Sequence, residues 1–230
     1  RIAERDAALV ELRAAMDTMV EMREHEARQK LLLDELNHRV KNTLASVQSI
    51  AVQTLSGEQD PEAARSTFID RLMALSSTHN LLVKRSWEGA AFEDLVNASL
   101  SHYGQPYRFS GEPLAMSPNT AVTLGMALHE LATNALKHGA WAKGGRVEIE
   151  AEVDEVAGAT VITWREREGG AVAAPERRGF GSRLLERGVA GELGGSVSLD
   201  FDALGLCCVI RTPIGPNLRP ARYDDLAKSA

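Results

Sequence analysis

Aromatic residues are scarce in this 230-residue chain, at 5%, and its two cysteines, Cys207 and Cys208, are adjacent. Neighbouring cysteines cannot cross-link distant segments, so no disulfide framework is expected and a reducing compartment is the better fit. No apolar run approaches the ~18 residues of a spanning helix, which argues against membrane contact by this segment. Positive charge is also short: 26 Lys and Arg stand against 32 Asp and Glu, for a formal net charge of -6. That balance excludes broad affinity for nucleic acid or anionic lipid, while leaving room for a local patch that holds phosphate. An initiator methionine is lacking at Arg1, which fits a piece cut from a longer protein.

What is present is enough for a core, with 44% hydrophobic residues and a length that suits one substantial domain and a smaller companion. Leu9, Leu12, Met16 and Met19 have coiled-coil spacing, which fades at Arg23, Glu26 and Lys30. A connecting helix over 1–30 and a merely solvated one are equally good readings. From about Gln29 to Leu55, Leu33, Leu36, Val40, Leu44, Val47 and Ala51 form one helical stripe, and His38 faces away from it. Gly57 to Pro61 breaks the pattern. Phe68, Leu72, Leu75, His79 and Leu82 then mark another helix, so a helical hairpin over 31–88 is expected, able to pair with a second copy as a four-helix bundle.

Beyond Trp87 the pattern becomes mixed. Phe92 to Tyr103 reads as a helix, and Ser117 before Pro118 caps another that Gly139 stops. Val147 to Val153, Thr160 to Trp164, Val197 to Phe201 and Leu206 to Arg211 read as strands, with a helix from about Ser182 to Leu193 between the two pairs. The expected fold class is therefore α+β: a helical hairpin followed, over 89–215, by helices layered on a sheet. The segment 216–230, rich in proline and charge, reads as an irregular tail.

The chemistry concentrates in ALHELATNALKHGA. Leu124, Leu128, Leu131 and Ala135 form an apolar stripe there, with Glu130, Asn134 and Lys137 at i, i+4 and i+7 beside it. A carboxylate, an amide and a cation on one face suit a hydrated magnesium ion carrying phosphates, because magnesium takes few protein oxygens. An ordinary solvated helix face has the same spacing. Gly179-Phe180-Gly181-Ser182 opens the predicted 182–193 helix, where backbone N–H groups can receive phosphate oxygens, although a lone G-x-G is usually just a turn.

Taken together these segments resemble the HWE histidine kinases, whose nucleotide domain belongs to the same superfamily as gyrase. His129-Glu130 through Asn134 and Lys137 to Ala140 is similar to their N box. LNHRVKNTLASVQSIAVQTL is similar to their phosphoacceptor box, FIDRLMALSSTHNLL to their second hairpin helix, and Trp164-Arg165-Glu166 to their tryptophan-x-glutamate signature. GFGSRLLERGVAGELGG is similar to the second glycine box, so motifs in the family's order cover about residues 31–213.

The resemblance implies a two-layer ATP-binding domain, ATP and Mg as cofactors, autophosphorylation on His38 and transfer to an aspartate of a response-regulator receiver. It implies that Asn134 holds Mg, that Glu130 lies beside the metal or its water, and that Lys137, Gly179, Gly181 and Ser182 meet phosphate. His129 fits a structural role and a nucleotide role equally. One residue is inserted before Gly169-Gly170 relative to the family pattern, which leaves Glu166 or Glu168 as the adenine carboxylate, with Glu166 favoured because it keeps the strand-end position. Arg39 stands where commoner histidine kinases have an acid, so Asp34 and Glu35 are only candidates for proton acceptor, and Arg39 is suited to neutralising charge. Asn42, one turn after His38, is placed to orient a water in dephosphorylation. An upstream sensory domain and a homodimer through the hairpin are the expected partners, with a monomer as the other option. A plain ATPase using Glu130, or a scaffold that only senses nucleotide, are the competing functions.

Overall fold

The computed structural model describes residues 2–57, 60–85, 87–170, 185, 188–201, 205–222 and 225. It divides into two compact units, Arg1–Val52 and Gln53–Ala230. Helix α1 (Ile2–Gly57) is continuous, so the helix expected over 1–30 and the one expected from about Gln29 to Leu55 form a single element. The reason is local: Arg23, Glu24, Glu26, Arg28, Gln29 and Lys30 are good helix formers, and no glycine or proline occurs there. Met16 and Met19 are exposed, as are Leu33, Leu36, Val40 and Leu44. The side chains of Leu9 and Leu12 lie outside the described residues.

In the second unit, α2 (Pro61–Lys84) starts at Asp60, whose carboxylate accepts from the N–H of Glu62, with Pro61 in the first turn. Such a cap contributes ~1 kcal/mol. Its buried residues are Ala64, Arg71, Leu75, Thr78 and Leu82. That face is rotated from the apolar stripe anticipated from sequence: Leu72 is exposed, and an arginine is buried instead. Helix α3 (Phe92–Leu100) continues into a 3-10 turn, Ser101–Tyr103. Helix α4 (Pro118–Lys137) is capped by Ser117, whose hydroxyl accepts from the N–H of Thr120, and ends at His138 before Gly139. Of the helix expected over 182–193, the described part is α5 (Val189–Leu193).

Five strands form the main sheet: β2 (Tyr107–Gly111), β4 (Arg146–Asp154), β5 (Ala159–Arg167), β7 (Leu206–Pro213) and β6 (Ser196–Phe201), in that spatial order. β2 pairs parallel to β4; the remaining neighbours are antiparallel. Phe92, Leu95, Leu124, Leu128 and Leu131 from the helices meet Val147, Ile149, Ile162, Trp164 and Ile210 of the sheet in one buried core. This is the α+β two-layer arrangement expected. A small second sheet joins β1 (Ala90–Ala91), β3 (Leu114–Met116) and β8 (Leu218–Pro220). β8 corrects the expectation of a wholly irregular tail: Leu218 is buried and Arg219 lies opposite Ala115 in the ladder.

Candidate active site

Helix α4 carries the polar stripe on the side away from the sheet. Its apolar residues Leu124, Ala127, Leu128, Leu131 and Ala135 are buried, which fixes the rotation of the helix and sends Asn134 and Lys137 to the surface. Glu130, one turn before Asn134, is not at the surface. It is buried against α2, where Arg71 Nε donates to its Oε1 at 2.6 Å and Arg71 Nη2 to its Oε2 at 3.3 Å. Arg71 Nη1 donates to Thr54 Oγ1 at 2.7 Å. Neither Arg71 nor Thr54 stood out from the sequence. The available signal was an arginine at heptad spacing to the buried Ala64 and Thr78 of α2.

The neighbouring His129 reaches the 3-10 turn that follows α3. Its Nδ1 lies 2.8 Å from the hydroxyl of Tyr103, and burial pushes the imidazole down to about 4, so the ring is neutral near pH 7. Tyr103 leads to Trp141, with ring centroids 5.7 Å apart, and Trp141 to Trp164 at 6.1 Å in an edge-on contact. The Trp141 indole donates to the Pro106 carbonyl at 3.0 Å. Two residues after Trp164, the buried Glu166 carboxylate accepts from the Ala140 N–H at 2.7 Å. Burial raises its pKa, with the Ala140 bond opposing. The histidine, tryptophan and glutamate of the signature thus form a brace that fixes both ends of the Glu130 to Ala140 segment. Gly139 is part of it: a Cβ there would lie 2.1 Å from Glu166 Oε2, so any larger residue would push the carboxylate aside.

Glu168, the alternative carboxylate, is exposed and paired with Arg146. Gly179, Gly181 and Ser182 lie outside the described residues, as do Arg177, Arg178 and Arg183. A cleft of about 560 Å3 runs between α2, α3 and α4, lined by Asp70, His102, Tyr103, His129, Thr133 and Lys137 among others. Among the described residues no group of three or more His, Cys, Asp or Glu is placed to hold a metal. An exposed amide beside a lysine fits magnesium delivered with phosphate, which needs few protein ligands.

On α1, His38 is exposed, and its Nδ1 lies 3.4 Å from Asn42 Nδ2. Arg39 pairs with Glu35 one turn back, which engages one of the two proton-acceptor candidates. Among the described residues no helix is long and apolar enough to cross a membrane.

The fold resembles that of solved histidine kinases. The structure of the Erythrobacter litoralis EL346 blue-light activated histidine kinase matches at a TM-score of 0.59 and 18% identity, covering 78% of this chain and 60% of that one. The histidine kinase domain of the same protein matches at 0.52 and 16%, covering 74% and 94%. At this identity the likeness shows the fold. In sequence, the HWE histidine kinase family matches residues 35–113. Blue-light-activated histidine kinases of Brucella ovis and Brucella anthropi are 38% and 37% identical over 209 residues, 88% of this chain. Residues 35–113 thus carry the match to the HWE histidine kinase family, and the likeness to the Brucella kinases extends over most of the chain. The chain spans 43% of the length of those relatives.

Proposed function

We propose that this chain is the ATP-dependent catalytic region of a sensor histidine kinase, which phosphorylates itself on His38 and passes the phosphoryl group to an aspartate on a response-regulator receiver. The observation that carries the reading is the α4 stripe, in which Asn134 and Lys137 stand exposed one and two turns beyond Glu130, in a chain 38% identical to named histidine kinases. Asn134 would hold the magnesium ion and Lys137 the phosphates, with Gly179, Gly181 and Ser182 supplying backbone N–H groups. Bound magnesium would supply charge neutralisation on the transferring phosphoryl group. Glu166 is the favoured carboxylate for adenine, since it sits buried at the end of α4 whereas Glu168 is exposed and paired with Arg146.

At His38 a ring nitrogen lone pair attacks the γ-phosphorus, an N–P bond forms, and the bond to the bridging oxygen breaks as ADP leaves. With the Asn42 amide turned so that its oxygen faces Nδ1, the ring carries its proton there and presents Nε2 as nucleophile. Asp34 is the proton acceptor that remains once Glu35 is paired with Arg39, and Arg39 itself contributes positive charge beside the histidine. The exposed Leu33, Leu36, Val40 and Leu44 stripe supports homodimerisation through α1. A cytoplasmic location, a receiver partner and an upstream sensory domain complete the reading.

Incubation with γ-labelled ATP and magnesium tests it. The expected product is protein-bound label that survives base and is lost in acid, as a phosphoramidate is. Release of inorganic phosphate with no protein-bound label would replace this reading with a plain ATPase.

A further inference from the structure

The buried pair of Arg71 and Glu130 ties up the carboxylate that the family resemblance places beside the metal or its water. Their side chains are 7% and 10% exposed, and both carboxylate oxygens of Glu130 accept from the guanidinium. The contact also fixes how α2 lies on α4. Five residues before Glu130, Gly125 meets Thr78, seven residues after Arg71, so closely that a Cβ at Gly125 would come 2.4 Å from Thr78 Oγ1. The two helices therefore run antiparallel, and α2 covers the face of α4 from which Glu130 points.

Resting on the function proposed above, and on the place beside the metal that the family resemblance implies for Glu130, we propose that Arg71 is a latch. While it is closed, α2 withholds Glu130 from the nucleotide, and productive loading requires the guanidinium to leave. Opening such a pair into empty space would strand two desolvated charges, which is strongly unfavourable. A magnesium–polyphosphate ligand offers each released charge an opposite one, so latch opening and nucleotide binding are thermodynamically linked. The third member gives the latch a handle. Thr54, which accepts from Arg71 Nη1, lies on α1, the helix that carries His38. A displacement of the end of α1 thereby alters the hold of Arg71 on Glu130, and the same hydrogen-bonded chain joins the phosphoacceptor helix to the nucleotide helix.

The test is a titration of the whole chain with Mg-ADP in wild type, Arg71→Gln and Thr54→Val, followed by initial labelling rates at subsaturating γ-labelled ATP. A latch closed in about nine molecules of ten predicts roughly tenfold tighter Mg-ADP binding in Arg71→Gln. Thr54→Val should shift in the same direction by less, and both should label faster. Thr54→Val retains both charges, so it decides the matter alone if Arg71→Gln fails to fold. Unchanged or weaker Mg-ADP affinity in the folded variants overturns the latch, whatever their activity. Tighter binding by both variants in a protein that never acquires label would uphold the latch and refute the kinase reading instead.

Discussion

The helix that carries His38 and the helix that carries Glu130 meet opposite demands. His38 is exposed, and its described side-chain neighbour, Asn42, comes from its own helix, one turn away. Glu130 is buried, and its partner comes from another helix 59 residues away in sequence. On the function proposed above, a phosphoacceptor has to reach a donor and later a receiver, which suits a side chain set by local spacing on an accessible face. A nucleotide helix on the same proposal has to hold its ligands in fixed relation, which suits α4, pinned to the sheet by its leucines and braced at its end by Glu166. Changes at α4 should accordingly act through binding and stability, and changes at His38 through transfer alone.

The largest effect is expected from Asn134→Ala, which should abolish labelling and remove the magnesium dependence of nucleotide binding, while the fold persists because Asn134 is exposed. Full magnesium-dependent binding by this variant would take the metal away from α4. Next comes acid sensitivity. Because burial lowers the pKa of His129 from 6.5 to about 4, the unfolded chain binds more protons than the folded one below about pH 6.5. Stability should therefore fall as pH drops from 6.5 towards 4, by up to about 3 kcal/mol from this group. Denaturant melts at pH 7 and pH 4 should show a smaller loss for His129→Gln than for wild type; equal losses would mean that His129 titrates normally. Gly139→Ala should cost about 1 to 3 kcal/mol by pushing the Glu166 carboxylate off the Ala140 N–H. A melting temperature equal to wild type would show that the brace yields freely.

The legibility of the two regions differed in the same way. α4 could be read from Ser117-Pro118 to Gly139 because caps, stripe and stop are all local. Its stripe gave Asn134 and Lys137 their exposed positions, but it could not show that Glu130 turns into an ion pair, since Arg71 reaches it only through tertiary packing. Tyr103 was hidden for the same reason. β2 was missed because Tyr107–Gly111 is a half-buried edge with little apolar content, and β8 because a three-residue strand follows Pro216 closely and itself ends on Pro220. The strands β4, β5, β6 and β7 were legible from alternation or β-branched runs. On α1, the coiled-coil seam fades near residue 23 while the helix continues, because helix formers without glycine or proline hold the backbone there.

Smaller differences sharpen the comparison. Glu166→Gln keeps an acceptor for the Ala140 N–H and should weaken adenine nucleotide binding by a few-fold, more than Glu168→Gln, on the scale of one hydrogen bond worth roughly 1 kcal/mol. The reverse ranking in a nucleotide titration would move the adenine contact to Glu168. Asn42→Ala should retain substantial labelling while slowing the decay of the phosphorylated receiver in the presence of ADP, and equal decay at matched binding would remove Asn42 from dephosphorylation.

The most direct measurement is the location of the label. His38→Gln, incubated with γ-labelled ATP beside wild type at nucleotide concentrations giving equal occupancy, should bind Mg-ATP as wild type does and acquire no acid-labile label. Label persisting on the variant, at unchanged stoichiometry, would contradict His38 as the phosphoacceptor and with it the central claim.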